Sequence, residues 1–406
     1  MNGYLNESNF MMVEEGFTAR DLLENLLVEL CQATDQQAFF VADLGDIVKK
    51  YLHFLKALPR VKPYFPVKCN SSEGVIRLLA ELGAGFACTN KAEIARVQGI
   101  GVPADKIFYS SPCKQVAHIK YAANHSVQLM TFDNEVELSK VARSHPHARM
   151  LLGIAADSSP STHPSMTFGT TLKSCRHLLE TAKEQAVEVV GISFHLGSCG
   201  LEPQAFAQSV AAAQLVFEMG TELGYRMHLL DIGGGFPGTE DTRAQFEETA
   251  AGWRSLRDLG DTTSPPPSPS LPASLPWKRF PRSSLALMKP CPDHPAHSSS
   301  LWGPPGHAED CIADSLELPE LQVGDWLIFE DMGAYTIATS SVLGGCPQPQ
   351  ITYAMSRVAW KAIQLFQGKP PQTEDNRESV CTPLSCGWEM ADTLCVTPVF
   401  TPASII

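Results

Sequence analysis

The most useful facts about this 406-residue chain are first the things it lacks. No apolar run approaches the ~20 residues a membrane-spanning helix needs. The opening Met1–Glu7 has neither a basic stretch nor an apolar one after it, so no secretory signal is expected there. Positive charge is in deficit. Lys and Arg number 31 against 44 Asp and Glu, a net charge of −13. With a pI near 5.4, that argues against nucleic acid or an anionic membrane as the main partner. The 12 cysteines include no Cys-x-x-Cys pair, which fits reduced cytosolic thiols better than a disulfide framework or zinc. Between Trp253 and Ser300 there is no hydrophobic periodicity. Runs such as Ser264-Pro265-Pro266-Pro267-Ser268-Pro269 remove backbone donors and block helix and central strand alike. This stretch reads as a disordered or atypical linker.

What remains is ordinary for a folded protein of one large or two moderate domains, with 44% apolar residues. The first two thirds alternates strand and helix. Strands are expected at 38–42, 63–68, 85–88, 106–110, 127–132, 150–155, 187–195 and 227–232, apolar and partly β-branched as in strands buried on both faces. Asn70-Ser71-Ser72-Glu73 and Asn90-Lys91-Ala92-Glu93 have capping-box spacing, and Asp133 is expected to cap a helix over 134–143. Phe206, Val210, Ala213 and Phe217 share one apolar face of a helix over 203–223. Repeated strand–helix units imply a parallel sheet, either a (β/α)8 barrel or an open doubly wound sheet. Leaving out the strand near residue 40, seven barrel strands are recognisable and an eighth is not. Farther on, 323–329 and 350–355 read as antiparallel strands.

Two motifs carry chemistry. Lys68 ends the apolar run that starts at Pro63, where desolvation can make an amine nucleophilic. Leu229-Leu230-Asp231-Ile232-Gly233-Gly234-Gly235 is a strand entering a glycine loop, a common way to present backbone N–H groups to phosphate. A lysine with a phosphate cradle points to pyridoxal phosphate (PLP). Lys68, His195 and Gly233–Gly235 all follow strands directly, which gathers them at the C-terminal face of a barrel. A glycine run alone is more often a tight turn than a phosphate site.

Longer matches identify a family. Val67-Lys68-Cys69-Asn70, Pro112-Cys113-Lys114-Gln115, Phe194-His195, Gly233–Gly238, Val323–Trp326 and Met332–Thr336 resemble the eukaryotic ornithine decarboxylases. The segments 383–389 and 400–404 resemble that family's non-catalytic, antizyme-inhibiting branch. The resemblance implies an alanine racemase-like (β/α)8 barrel, here incomplete, plus a reduced C-terminal β domain. The implied division is an N-terminal segment (1–36) packing with the β domain, the barrel (37–252), the atypical linker (253–297), the residual β domain (298–369) and a tail (370–406).

It also assigns Lys68 as the Schiff-base lysine, His195 as the residue stacked on the cofactor ring, Ser198, Gly233, Gly234 and Gly235 as phosphate ligands, and Tyr335 as a neighbour of the phosphate. Against these stand several departures. Ala87 replaces an aspartate, Gly153 an arginine beside the cofactor, and Pro66 an alanine in a barrel strand. A Glu-Pro-Gly-Arg motif and the acidic residue for the substrate's distal amine fall in the Pro-rich stretch and are absent. Trp302-Gly303-Pro304-Pro305-Gly306-His307 places Gly306 where the catalytic cysteine belongs. PLP needs a carboxylate on its ring nitrogen to act as an electron sink. Each lost electrostatic partner costs roughly 10²–10³ in rate. The expectation is a pseudoenzyme with a vestigial PLP site, no functional cofactor and no metal.

The same resemblance places an antizyme-binding element over Lys114–Glu137, with Lys114, Gln115, His118, Lys120, Tyr121, Asn124 and Glu137 as its binding residues. From pattern alone this is one more strand–helix unit with a solvated basic face. Val116, Ile119 and Ala123 are expected to face inward, and Lys114, His118, Lys120 and Tyr121 outward. The implied function is to occupy antizyme, free ornithine decarboxylase, and raise polyamine synthesis and uptake. The alternatives are a residual PLP-dependent ornithine or arginine decarboxylase and a non-functional splice form. The expected partners are antizyme proteins, without nucleic acid or membrane span, in a monomer or weak homodimer. The expected location is cytoplasmic, with nuclear and Golgi or secretory-vesicle association as further sites.

Overall fold

The computed structural model describes residues 9–14, 16–30, 38–59, 61–155, 168–195, 203–234, 247, 285–287, 295–302, 311–322, 325–330, 332–334 and 349–366. It opens with β1 (Phe10–Val13), α1 (Ala19–Leu30), β2 (Phe39–Asp43) and α2 (Leu44–Ala57). A regular alternation follows: β3 (Tyr64–Pro66), α3 (Glu73–Glu81), β4 (Gly85–Cys88), α4 (Lys91–Gly99), β5 (Ile107–Tyr109), α5 (Val116–Asn124), β6 (Leu129–Phe132), α6 (Glu135–Ser144), β7 (Arg149–Ile154), α7 (Leu172–Glu184), β8 (Glu188–Phe194), α8 (Pro203–Glu222) and β9 (Leu229–Asp231). The remaining elements are β10 (Leu285–Leu287), β11 (Ala296–Trp302), β12 (Cys311–Pro319), β13 (Leu327–Phe329), β14 (Gln350–Ser356) and α9 (Arg357–Phe366).

Strands β3 to β9 form one parallel seven-stranded sheet in strict sequence order. Sequential order is the barrel arrangement, since a doubly wound sheet reverses its order at a switch point. Both faces are apolar. Phe86, Ile107, Met130, Leu152 and Ile192 pack against helix residues such as Ile76, Ile94, Ile119, Leu138 and Leu179. Ala87, Phe108, Leu151 and Val190, with Tyr64, Leu129 and Leu229, fill the opposite, inner face. Pro66 is tolerated because β3 pairs only with β4 among the described residues. Gly85 N–H donates to Pro63 O and Val67 N–H to Ala87 O, so the donor that Pro66 lacks belongs to the other edge.

Several expectations need correction, while the strand near residue 40 lies outside the barrel sheet, as the count of seven barrel strands assumed: β2 pairs with β14, and β1 pairs with the other side of β14. The expected antiparallel strand at 350–355 is therefore the centre of a parallel three-stranded sheet, β1-β14-β2. A parallel neighbour needs a long connection, and here it is the whole barrel. Among the described residues, antiparallel pairing is confined to β10–β13 and β11–β12. β10 also lies within the expected linker. The N-cap of α6 is Asn134, whose Oδ1 accepts from Glu137 N–H at 3.0 Å, while Asp133 accepts from Asn134 Nδ2. The Asn90 capping box forms as expected, with Glu93 N–H on Asn90 Oδ1 (3.0 Å) and Thr89 N–H on Glu93 Oε2 (2.6 Å). At 70–73 the cap is Ser72, with no side-chain bond to the helix. Phe206 is not among the residues whose side chains are described. Val210, Ala213 and Phe217 do pack on the core, joined by Val216.

Two glycines stand in opposite surroundings. A Cβ on Gly191 would fall 1.8 Å from Leu229 O, so β8 and β9 meet only through glycine. Gly99, at the exposed end of α4, has open space around it. Gly191→Ala is expected to lower stability by about 1–3 kcal/mol through strand separation, and Gly99→Ala to raise it by about 0.5–1 kcal/mol through chain entropy. Thermal unfolding of the two variants checks both signs.

Candidate functional site

The C-terminal ends of the barrel strands bring together Lys68, His195, Asp231, Gly233 and Gly234. Lys68 follows β3 and is exposed, while its neighbours Val67, Cys69 and Asn70 are buried. Burial pushes the Cys69 thiol up to about 12 against the lowering influence of Lys68, so it is inert as a thiolate. His195, after β8, is open to solvent at the mouth yet closely surrounded by protein. Desolvation holds its imidazole below the ordinary value, and the nearby Lys68 ammonium adds to the effect.

The glycine loop is bound internally. Gly234 N–H donates to His195 Nδ1 at 3.0 Å. Gly233 N–H donates to Asp231 Oδ1 at 3.0 Å, and Ser193 Oγ donates to Asp231 Oδ2 at 2.8 Å. Gly233 has φ +66°, and a Cβ there would meet Phe194 O at 2.5 Å and His195 Nδ1 at 2.6 Å, so no other residue fits. The Gly233 and Gly234 amides therefore already have acceptors within the protein, one of them a carboxylate, and in this arrangement neither amide is open to a phosphate. Ala87 is buried and Gly153 sits in its strand with nothing closer than 3.4 Å to a would-be Cβ, so neither supplies charge to the mouth. Ser198, Gly235, Tyr335 and Gly306 lie outside the described residues.

Asp231 carries no role in the sequence pattern, where it stands two residues before the glycines. The overlooked signal is an acidic residue ending an apolar strand at a turn. Burial raises its carboxyl to about 6, opposed by the Gly233 and Ser193 hydrogen bonds.

The 114–137 segment is built differently from the expectation. Lys114 is buried, not outward. Its side chain has no exposed area, and that of Glu137 has 2%. Lys114 Nζ donates to Thr131 O at 2.6 Å and Ser111 O at 3.2 Å, and lies 3.1 Å from Glu137 Oε2. Lys114 N–H donates to Glu137 Oε1, and Lys140 pairs with that carboxylate and donates to Lys114 O at 2.7 Å. Burial lowers the Lys114 pKa against the support of Glu137. Glu137 stays below the usual carboxylate range: desolvation alone would raise it, and the two lysines outweigh it. A loop lysine two residues before an apolar helix has no sequence mark of burial; only the tertiary approach of α6 supplies its partner.

Helix α5 stands on this frame. Ile119 and Ala122 are its buried residues, so Val116 and Ala123 are not its core anchors; Val116 is 43% exposed. Gln115, Lys120 and Asn124 are exposed, and His118 and Tyr121 are half-buried. The Tyr121 ring stacks on His125 at 3.9 Å between centroids, and His125 Nδ1 donates to Tyr121 O at 2.8 Å, closing the helix end. The exposed face therefore mixes one lysine with amide, imidazole, phenol and aliphatic groups. Among the described residues no His/Cys/Asp/Glu group could hold a metal ion, and no helix is long and apolar enough to cross a membrane.

Two predictions follow from burial. Lys114→Ala, which strips Glu137 of one of its two lysines and empties the buried site, is expected to cost up to about 3–5 kcal/mol, read by urea unfolding. Asp231 binds its proton up to about pH 6 when folded but only to about 3.9 when unfolded. Its contribution is therefore fully favourable below the unfolded value and is lost as pH rises through the folded one, about 3 kcal/mol in all. Asp231→Asn should remove this loss, so that the difference in stability between variant and parent grows from pH 4 to pH 7.

Comparison with known proteins agrees with this architecture. The pyridoxal-binding domain of pyridoxal-dependent decarboxylases matches residues 44–263, and the C-terminal sheet domain of the same enzymes matches 274–333. The family thus extends well into the stretch expected as a linker. "Antizyme inhibitor 2" of Xenopus laevis is 49% identical, covering 100% of both chains. That alignment runs over 460 positions, more than this chain's 406 residues, so the relative carries segments absent here. "Ornithine decarboxylase" of Mus musculus is 42% identical over 95% of each chain. The crystal structure of the Paramecium bursaria Chlorella virus arginine decarboxylase bound to agmatine superposes with a TM-score of 0.73 at 25% identity, over 83% of this chain and 100% of that one. The chain belongs to the PLP-dependent ornithine/arginine decarboxylase family, with antizyme inhibitors among its close relatives.

Proposed function

We propose that this protein is a decarboxylase homologue without the activity, which binds antizyme through α5 and its surroundings. By occupying antizyme it relieves the inhibition of ornithine decarboxylase and raises polyamine synthesis and uptake. The observation that carries this reading is the contrast between two regions of one barrel. The α5 face is held on a buried ion pair, while the mouth has Ala87 and Gly153 at the charged positions of the decarboxylases and a glycine loop whose described amides are committed internally. Competition for a partner needs a stable surface and no chemistry, and that is the part maintained. The relatives named antizyme inhibitor support the same assignment.

On this reading the PLP site is vestigial and Lys68 and His195 remain by descent and packing. The binding face consists of Gln115, His118, Lys120, Tyr121 and Asn124. Lys114 and Glu137 act from beneath it as positioning residues, not as contacts. The protein works as a monomer or weak dimer in the cytoplasm, with nuclear and vesicle-associated pools.

The test is titration of the full chain into purified antizyme, with recovery of ornithine decarboxylase activity as a second readout. Binding with a threefold to tenfold loss in Lys120→Ala is expected, a peripheral charge acting mainly on association. Neither carbon dioxide release from ornithine nor PLP retention through gel filtration is expected. A folded sample that ignores antizyme overturns the reading, and turnover with added PLP would favour the decarboxylase alternative.

A further inference from the structure

The starts of three successive helices on the barrel rim are bound to one another. Lys114 N–H on Glu137 Oε1 and Lys140 Nζ on Lys114 O join the approach to α5 with α6. Gly169 N–H on Asp133 Oδ2 (3.3 Å) and His177 Nε2 on Glu135 Oε1 join α6 with α7. The lead-in to α7 is itself clamped to the end of β7. Thr170 N–H donates to Gly153 O and Ala155 N–H to Thr170 O, both at 2.8 Å. Gly169 has φ +105°, and a Cβ there would fall 2.5 Å from the Ile154 carbonyl carbon.

This cross-linked rim holds apolar side chains out to solvent: Val116 at 43% exposure, Val136 at 70%, Phe168 at 63% and Leu172 at 38%. The starts of α3 and α4 carry Glu73 and Lys91 instead. Phenylalanine held exposed on a clamped backbone gains nothing from the fold, and clustered exposed apolar groups mark interaction surfaces.

We infer that the antizyme surface of the 114–137 segment continues beyond it to the start of α7, where Phe168 joins Val136 as an apolar anchor. This rests on the antizyme reading above. The occupant follows from continuity and size. A stable interface covers ~20–30 residues a side, more than one nine-residue helix presents. On the other flank of α5, helix α4 exposes Lys91, Ala92, Ala95, Arg96 and Gly99, which offer no large apolar group. The α6–α7 flank offers two large apolar side chains on a rigid base, the arrangement of interface anchors.

The test compares antizyme affinity of the full chain with that of Val136→Ser/Phe168→Ser, Lys120→Ala, and Val28→Ser as an exposed apolar control far from the rim. The double variant should bind about tenfold more weakly or worse, with unchanged melting temperature, and the control should match the parent. Amide exchange of the unsubstituted chain should slow at 133–137 and 168–172 in the complex. If Lys120→Ala weakens binding while the double variant matches the parent and exchange at 168–172 is unchanged, this inference fails and the proposed function stands. If the parent itself does not bind, both fail.

Discussion

Lys114 has no exposed side-chain surface, and the organisation of the rim follows from what it holds. Its ammonium meets two carbonyls and one carboxylate, its backbone N–H meets the other oxygen of that carboxylate, and its own carbonyl receives Lys140. Every donor is directed. A buried ion pair of this kind adds little net stability, because desolvation offsets most of the attraction. It does fix geometry, since each displaced partner leaves a charge in a poor solvent. The geometry it fixes is where α5 leaves the sheet and how α6 begins beside it.

The glycine loop follows the same logic with a different outcome. In a working cofactor site, loop amides are left for the ligand. Here Asp231 and His195 accept from them, and Gly233 is wedged against the end of β8. The amides of Gly233 and Gly234 are thus satisfied within the protein, and the rim around Lys114 is held by its own ion pair.

The two ends of the chain meet in β1-β14-β2, which sits beside the barrel and contacts it through Tyr353, whose ring lies under Gly74 at the start of α3. Because β14 pairs in parallel with both neighbours, the N-terminal strands cannot form their sheet until the chain beyond residue 349 arrives. Such long-range pairing makes the sheet sensitive to whatever lies between β9 and β14.

The parallel sheet was legible from sequence because strands buried on both faces must be apolar at successive positions, and seven such runs separated by capped helices leave few other arrangements. Lys68, His195 and the glycines fell together for the same reason: each follows a strand, and parallel strands end on one side. Three matters were decided only by the tertiary structure. The run at 38–42 has the pattern of a barrel strand, but its partner lies three hundred residues away. Lys114 has the sequence context of a solvated loop, and Glu137 that of a first-turn helix acid, until packing brings the two together in a buried site. Val136 and Phe168 read as core residues by type, and only their position on the rim exposes them. Local sequence determines which face of an element is apolar; what covers that face, or leaves it bare, depends on chain segments distant in sequence.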